Sequence, residues 1–281
     1  MPELKINDQT PHCSKHVLGD CALFNGDCLE IMKSIPDGSI DAIITDPPYG
    51  TTACKWDCFL PLEQLWAEYK RLIKPNGVIV LTASQPFTSV LTCSNLDWFK
   101  YEWIWLKNQG SNFATVKYQP MKEHESVLVF ANGKTTYNPI MQPRTKSAQE
   151  RLKYDITEYK GEKREVFGGL KDNGKNMSYN KDERNPASYQ FFEVVPRHKG
   201  TLHPTQKPVA LFEYLIKTYS NDGDLILDNC AGCGTTAIAC LNTNRQFIVM
   251  EKEQKYYDII LKRVADFNKN FEPKTLFGNE M

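Results

Sequence analysis

Apolar residues in this chain come either as short solid runs or as longer stretches with helical spacing. Runs at 22–24, 43–45, 77–82, 224–227 and 246–250 have the length and the bounding turn residues of buried strands. The stretch 62–73 places Leu62, Leu65, Trp66, Tyr69 and Leu72 on one face, which predicts an amphipathic helix. Helices are also predicted over 28–35, 87–94, 212–219 and 256–267, and from Ala237 onward. Strands at 101–106 and 126–130 predict a hairpin-like end to the sheet. Strands alternating with helices predict an open α/β sheet. From 133 to about 197 this periodicity disappears. Lys, Asn, Gly and Tyr dominate there, with turn signals at Gly168-Gly169 and Asn173-Gly174. So long a stretch without core periodicity is uncommon inside a compact domain and is usually functional or disordered. Residues 1–20 read as a polar arm, and no internal repeat is visible.

The strand at 43–45 runs into Asp46-Pro47-Pro48-Tyr49. Two prolines end the strand, because neither can donate a ladder hydrogen bond. They stiffen the backbone beyond the carboxyl end of the strand, where open α/β sheets bind ligands. A carboxylate, a fixed carbonyl and an aromatic ring then leave one rigid turn together. That set can accept two hydrogen bonds from a planar amino group and stack on its ring, which suggests work on the exocyclic amine of a nucleobase. Taken alone, the tetrapeptide is also a proline-stopped strand with a surface tyrosine.

A second element narrows the choice. The strand at 224–227 is followed by Asp228-Asn229-Cys230-Ala231-Gly232-Cys233-Gly234-Thr235-Thr236 and then by the helix from Ala237. Strand, glycine turn and helix is the layout in which backbone N–H groups at a helix start meet an anionic part of a cofactor. The third glycine of the dinucleotide fingerprint is missing, which disfavours NAD. The next strand ends in Glu251, where an acid is placed to hold a ribose hydroxyl pair.

These segments resemble the site-specific DNA amino-methyltransferases, and more narrowly the β-class of DNA adenine N6-methyltransferases, in which the D-P-P-Y block precedes the cofactor block. Phe24-Asn25-Gly26-Asp27-Cys28 is similar to the family's cofactor-adenine segment, and residues 72–81 to its helix-turn-strand. His203-Pro204-Thr205-Gln206-Lys207-Pro208 is similar to the segment before the cofactor turn, and 228–236 to D-P-F-x-G-x-G-T-T. Asn229-Cys230 stands where Pro-Phe is usual, so the customary aromatic on that cofactor wall is absent.

The resemblance implies a Rossmann-like, S-adenosylmethionine-dependent fold. Its sheet would be twisted and mostly parallel with one antiparallel strand, with helices on both faces and an inserted target-recognition region. The implied organisation is an N-terminal arm at 1–20, a catalytic half at 21–133, the recognition insertion at 134–197, a cofactor-binding half at 198–270 and a tail at 271–281. The implied catalytic residues are Asp46, Pro47, Pro48 and Tyr49, acting on a base flipped out of duplex DNA. Glu251 would bind the ribose, and Asp27, with Cys28 beside it, the adenine. Asp228, Gly232, Gly234, Thr235 and Thr236 would surround the methionine end, with Lys207 nearby. Trp56 is a candidate second wall for the base. On residue type alone, Asp27 after Gly26 is more often a helix cap, and only its place in the series points to the cofactor.

Composition is that of a globular protein: 41% hydrophobic and 24% charged over 281 residues. No apolar run is long enough to span a membrane and no signal peptide opens the chain, so a cytoplasmic location is expected. Nine cysteines, an odd number, predict reduced thiols. Net charge is zero, yet residues 134–200 hold 14 Lys and Arg against 9 Asp and Glu. That local excess is the distribution a phosphate-contacting module needs, though a solvated face gives the same count. Cys230 and Cys233 have the spacing of a zinc pair, with Cys54 and Cys58 as further thiols, and His12, Cys13 and His16 lie in the arm. The first pair sits inside the cofactor turn, where a metal would obstruct the site, so no metal is expected. Cytosine N4-methylation shares the mechanism and stays open, as does a DNA-binding protein with a degenerate methyltransferase fold. Intact Asp46 and Glu251 argue against the latter. Monomer and homodimer are both compatible with the sequence, as are solitary and restriction-modification settings.

Overall fold

A computed structural model of the protein describes residues 14–18, 21–50, 57, 59–147, 149–150, 182–196 and 200–271. His12, Cys13, Cys54, Trp56, Cys58, the turns at 168–169 and 173–174, and most of the predicted arm and tail lie outside the described residues. In chain order the strands are β1 (Ser14–Leu18), β2 (Cys21–Asn25), β3 (Ile40–Thr45), β4 (Ile73–Ala83), β5 (Phe99–Leu106), β6 (His124–Phe130), β7 (Gln142–Pro143), β8 (Glu183–Arg184), β9 (Tyr189–Phe191), β10 (Leu225–Asp228) and β11 (Gln246–Glu251). The helices are α1 (Cys28–Met32), α2 (Leu62–Leu72), α3 (Phe87–Cys93), α4 (Val209–Tyr219), α5 (Thr235–Asn242) and α6 (Gln254–Phe271).

The chain forms two compact units, Met1–Asn138 with Ser188–Met281, and Pro139–Ala187. In the smaller unit β7 pairs antiparallel with β8. The larger unit holds one sheet in the order β1-β2-β11-β10-β3-β4-β6-β5-β9. Strands β2, β11, β10, β3 and β4 are mutually parallel, and β6 runs antiparallel between β4 and β5.

Alternation along the strands divides the core between the two faces. Phe24, Ile43, Ile79, Leu81, Leu227 and Ile248 point to the side covered by α1, α2 and α3. Leu23, Ala42, Ile44, Val80, Ile226 and Val249 point to the side covered by α4, α5 and α6. A parallel sheet buried on both faces needs such near-continuous apolar runs. The predicted face of α2 is buried at Leu65, Trp66, Tyr69 and Leu72. Arg71, at its end, donates to the carbonyls of Met32 and Ile35 at 2.7 and 2.8 Å. It thereby ties the end of α2 to the end of α1 and the turn after it.

Three elements differ from the sequence reading. Residues 14–18 of the predicted polar arm form an edge strand antiparallel to β2. Edge strands carry polar side chains, so composition does not reveal them. Strand β4 starts at Ile73, immediately after α2, rather than at 77. Strand β9 lies in the stretch without periodicity, yet it extends the main sheet beside β5. It has only three residues, too few for a pattern.

Candidate active site

Strand β3 is followed rightward by β4, whereas β10 is followed leftward by β11. The order therefore reverses between β3 and β10, and ligands in open α/β sheets bind outside the carboxyl ends of the strands at such a point. Both sequence-derived blocks leave the sheet there. Asp46 follows β3, Asp228 ends β10, and Glu251 ends the neighbouring β11. Parallel register sets Leu227 level with Ile43 and Glu251 level with Asn25.

One cavity of about 1410 Å³ is lined by both blocks, including Asp46, Pro47, Tyr49, Asp228, Gly232 and Glu251. Its size exceeds the roughly 300–1,000 Å³ of an ordinary single-ligand pocket. Asp27, Cys28, Pro48, Lys207, Thr235 and Thr236 also line it. Gly234 lines no part of it but caps α5 at φ +79°, and a Cβ there would meet Ile260 Cγ2 at 2.9 Å. Gly232 is also left-handed, at φ +53°. Glycine suits both positions for that reason.

At the end of β3, Asp46 is held by more partners than the sequence suggested. Its Oδ1 accepts from Tyr49 Oη at 2.7 Å and from Thr82 Oγ1 at the end of β4. Lys207 Nζ straddles the carboxylate, 2.8 Å from Oδ1 and 2.9 Å from Oδ2. The sequence reading placed Lys207 near the methionine end; its ammonium meets the Asp46 carboxylate in the same cavity. The Tyr49 ring stacks on Phe87 with centroids 5.6 Å apart. Burial and the Asp46 charge raise the phenol far above its ordinary pKa, so it stays a donor.

Lys207 also lies 3.3 Å from Glu125 Oε2, at ion-pair distance but outside hydrogen-bond geometry. Lys107 Nζ donates to Glu125 Oε1 at 3.0 Å. Burial pulls the Lys207 pKa down, but Asp46 and Glu125 more than offset this and hold it above its ordinary value. Burial raises Glu125, and the two lysines outweigh that and lower it. Sequence reasoning missed Thr82, Glu125 and Lys107. The only local signal was a charged residue at adjoining ends of two antiparallel strands, Lys107 just after β5 and Glu125 near the start of β6.

At the ends of β10 and β11 the acids are anchored by the protein itself. Asp228 is buried and accepts from Thr45 Oγ1 at 2.6 Å, from the Cys230 N–H at 2.9 Å and from Thr236 Oγ1. Burial pushes its pKa up to about 6 against those three donors. Asp228 and Thr236 thus hold the turn together. Thr235 Oγ1 donates to the Lys207 carbonyl at 3.2 Å. Glu251 accepts the N–H groups of Gly232 and Glu253, each at 2.8 Å, and burial raises its pKa to about 7. Asp27 caps α1 through the Leu29 N–H at 3.0 Å and accepts from Lys252 at 3.1 Å. The cap reading of Asp27 therefore holds beside its place in the cavity wall.

Where an aromatic is customary, Cys230 lies beside Cys28. Asn229 Nδ2 is 3.5 Å from each sulfur, and its Oδ1 accepts from Tyr69 Oη at 2.6 Å. A hydrogen bond from Cys230 lowers the Cys28 thiol pKa and raises that of Cys230 itself.

A family model described as DNA methylase, of the N6/N4 type, matches residues 40–262, which include the tetrapeptide, the glycine turn and Glu251. The chain belongs to this DNA methylase family. Among its relatives, the Type II methyltransferase M.BglII of Bacillus subtilis is 29% identical over 277 residues, covering 89% of this chain and 71% of the relative. The DNA adenine methyltransferase YhdJ of Escherichia coli K12 is 28% identical over 255 residues, covering 86% and 82%. A solved M1.HpyAVI–SAM complex superposes with TM-score 0.57 at 26% identity, covering 86% of this DNA methylase and 98% of that chain. The cytosine-N4-specific PvuII DNA methyltransferase, at 14% identity and TM-score 0.58, shares the fold, with 89% and 91% covered. No helix among the described residues is long and apolar enough to cross a membrane.

Proposed function

We propose that this DNA methylase transfers the methyl group of S-adenosylmethionine to the N6 amino group of adenine in duplex DNA, in the cytoplasm. The observation that carries the reading is a cavity at the sheet's reversal point shared by both blocks, walled by Asp46–Tyr49 on one side and by the glycine turn with Glu251 on the other. The donor set on the cofactor side fits that molecule. Glu251 offers lone pairs beyond the two it uses, suited to a ribose diol. The left-handed Gly232 leaves the adjacent wall free of side chain. Asp27 and Cys28 would border the adenine, and Asp228, Thr235 and Thr236 would shape the turn around the methionine end. When bound, S-adenosylmethionine supplies an electrophilic methyl group on a sulfonium.

An adenine amino nitrogen is a weak nucleophile because its lone pair is delocalised into the ring. Asp46 can correct this. Its Oδ2 meets only Lys207 among the described residues and has room to accept one amino proton. The Pro47 carbonyl accepts the other, and the nitrogen is drawn toward tetrahedral geometry. Catalysis rests on positioning and fixed dipoles, and no enzyme–base bond is required. The base leaves the duplex to reach the cavity and stacks beside Tyr49. We assign target recognition to the stretch 134–197, on its local positive excess.

Mass spectrometry of nucleosides from treated duplex DNA tests the reading, with N6-methyladenine as the expected product. N4-methylcytosine would move the assignment to cytosine with the mechanism intact, and 5-methylcytosine would overturn it. Tyr49→Ala is expected to lose roughly tenfold to a hundredfold in rate, from about 1–3 kcal/mol of stacking. Tyr49→Phe keeps the ring but withdraws one donor from Asp46. It is expected to be less impaired than the Ala variant, since Asp46 keeps Thr82 and Lys207 as partners. A Phe variant as impaired as the Ala variant would shift the role of Tyr49 from ring to hydroxyl.

A further inference from the structure

The buried charges behind Asp46 form a row: Asp46, Lys207, Glu125 and Lys107. Two acids and two bases balance. Lys207 and Lys107 are buried, and Glu125 is mostly so. We propose that Glu125 is a positioning residue for methyl transfer, which fixes the Lys207 ammonium against Asp46 so that the carboxylate presents Oδ2 to the target amine. This rests on the amino-methyltransferase reading given above.

The origins of the side chains support it. Lys207 comes from the segment before α4, with Pro208 as the helix cap, and so stands on a connection rather than on the sheet. A lysine carries its ammonium on a flexible four-carbon stem with many rotamers. Asp46 also follows a strand end, in the proline-stiffened turn. Glu125 lies within β6, opposite Trp105 of β5, and so stands on the hydrogen-bonded sheet itself. Lys107 follows β5 directly and fixes Oε1 of Glu125, leaving Oε2 for Lys207.

The Lys207 ammonium thus faces three carboxylate oxygens, at 2.8, 2.9 and 3.3 Å. With Asp46 alone it could follow that carboxylate or swing away when an amine docks. With Glu125 as a second, sheet-borne anchor its position is set before substrate arrives. A purely structural account predicts only that buried charges match. It gives no reason for the shared cation to touch the catalytic carboxylate.

The test compares wild type, Glu125→Gln, and the double variant Glu125→Gln with Lys107→Met, all as full chains. Glu125→Gln keeps the side-chain shape and removes its charge. The single-turnover methylation rate is expected to fall by roughly tenfold to a hundredfold, the scale of a misplacement near 1 Å. The Kd for S-adenosylmethionine, read by calorimetry, and the KM for DNA are expected to stay at wild-type values. The single variant leaves one buried positive charge unmatched and is expected to lower Tm. The double variant restores charge balance and is expected to regain Tm without regaining rate, because Lys207 still lacks its second anchor. Recovery of rate together with Tm would reduce Glu125 to a stability role and overturn the inference. A Glu125→Gln rate within threefold of wild type would overturn it as well. A wild-type chain that transfers no methyl group to DNA would defeat the functional reading itself, and this inference with it.

Discussion

Asp46→Ala is expected to abolish methyl transfer, by about a thousandfold or more, because it removes a preorganised acceptor at the reacting nitrogen. The variant also deprives Lys207 of one of its two carboxylates, so some loss of stability is expected. Asp46→Asn separates the shape of the side chain from its charge. Its amide keeps the shape and can still accept from Thr82, but it lacks the charge that anchors Lys207 and the second anionic oxygen that takes the amino proton. Transfer is expected to be lost there too, with retained S-adenosylmethionine binding by calorimetry and a lowered Tm, because the Lys207 charge is left partly unmatched. Methyl incorporation near the wild-type rate in either variant would remove Asp46 from the chemistry.

Glu251→Ala is expected to weaken S-adenosylmethionine binding by roughly tenfold to a hundredfold, the loss of a charged acceptor worth about 1.5–3 kcal/mol, and to leave DNA affinity unchanged. Unaltered cofactor titration would show that the ribose is held elsewhere. Glu251 also makes a prediction for the protein without cofactor. Burial raises its pKa from 4.5 to about 7, so the folded chain holds this proton more tightly than the unfolded chain does. The stability it contributes is fully present below pH 4.5 and is lost as pH rises through about 7. Glu251→Gln has no such loss. The melting temperature of Glu251→Gln relative to wild type is therefore expected to rise between pH 5 and pH 8, and a pH-independent difference would contradict it.

The sequence was legible wherever a local pattern carried the information. Buried parallel strands are short solid apolar runs, and both 43–45 and 246–250 proved to lie in central strands. The tetrapeptide and the glycine turn were readable because each packs several constraints into a few adjacent residues. What stayed hidden depends on contacts between distant parts of the chain. Glu125 reads as an ordinary polar start to an apolar strand, and only the pairing of β5 with β6 brings it to Lys107 and then to Lys207. Lys207 was visible as part of a motif, but its partner 161 residues away was not. Thr45 and Thr236 gave no signal of their own. They matter because they converge on Asp228 from different elements. The β1 and β9 edge strands were missed for the opposite reason: edge pairing is a backbone event that side-chain pattern scarcely records.

The strand order has a consequence for how the molecule is made. Strands β10 and β11 sit between β2 and β3, although all the strands on both sides of them come earlier in the chain. As synthesis proceeds, β2 and β3 emerge with facing edges that have no partner until residues 225–251 arrive. Contacts of such long sequence separation form slowly, and unpaired apolar strand edges invite association with other chains. A nascent chain that stops short of β10 therefore holds a sheet divided through its middle rather than trimmed at its margin. Premature termination late in the message is expected to give aggregated protein rather than a smaller folded one.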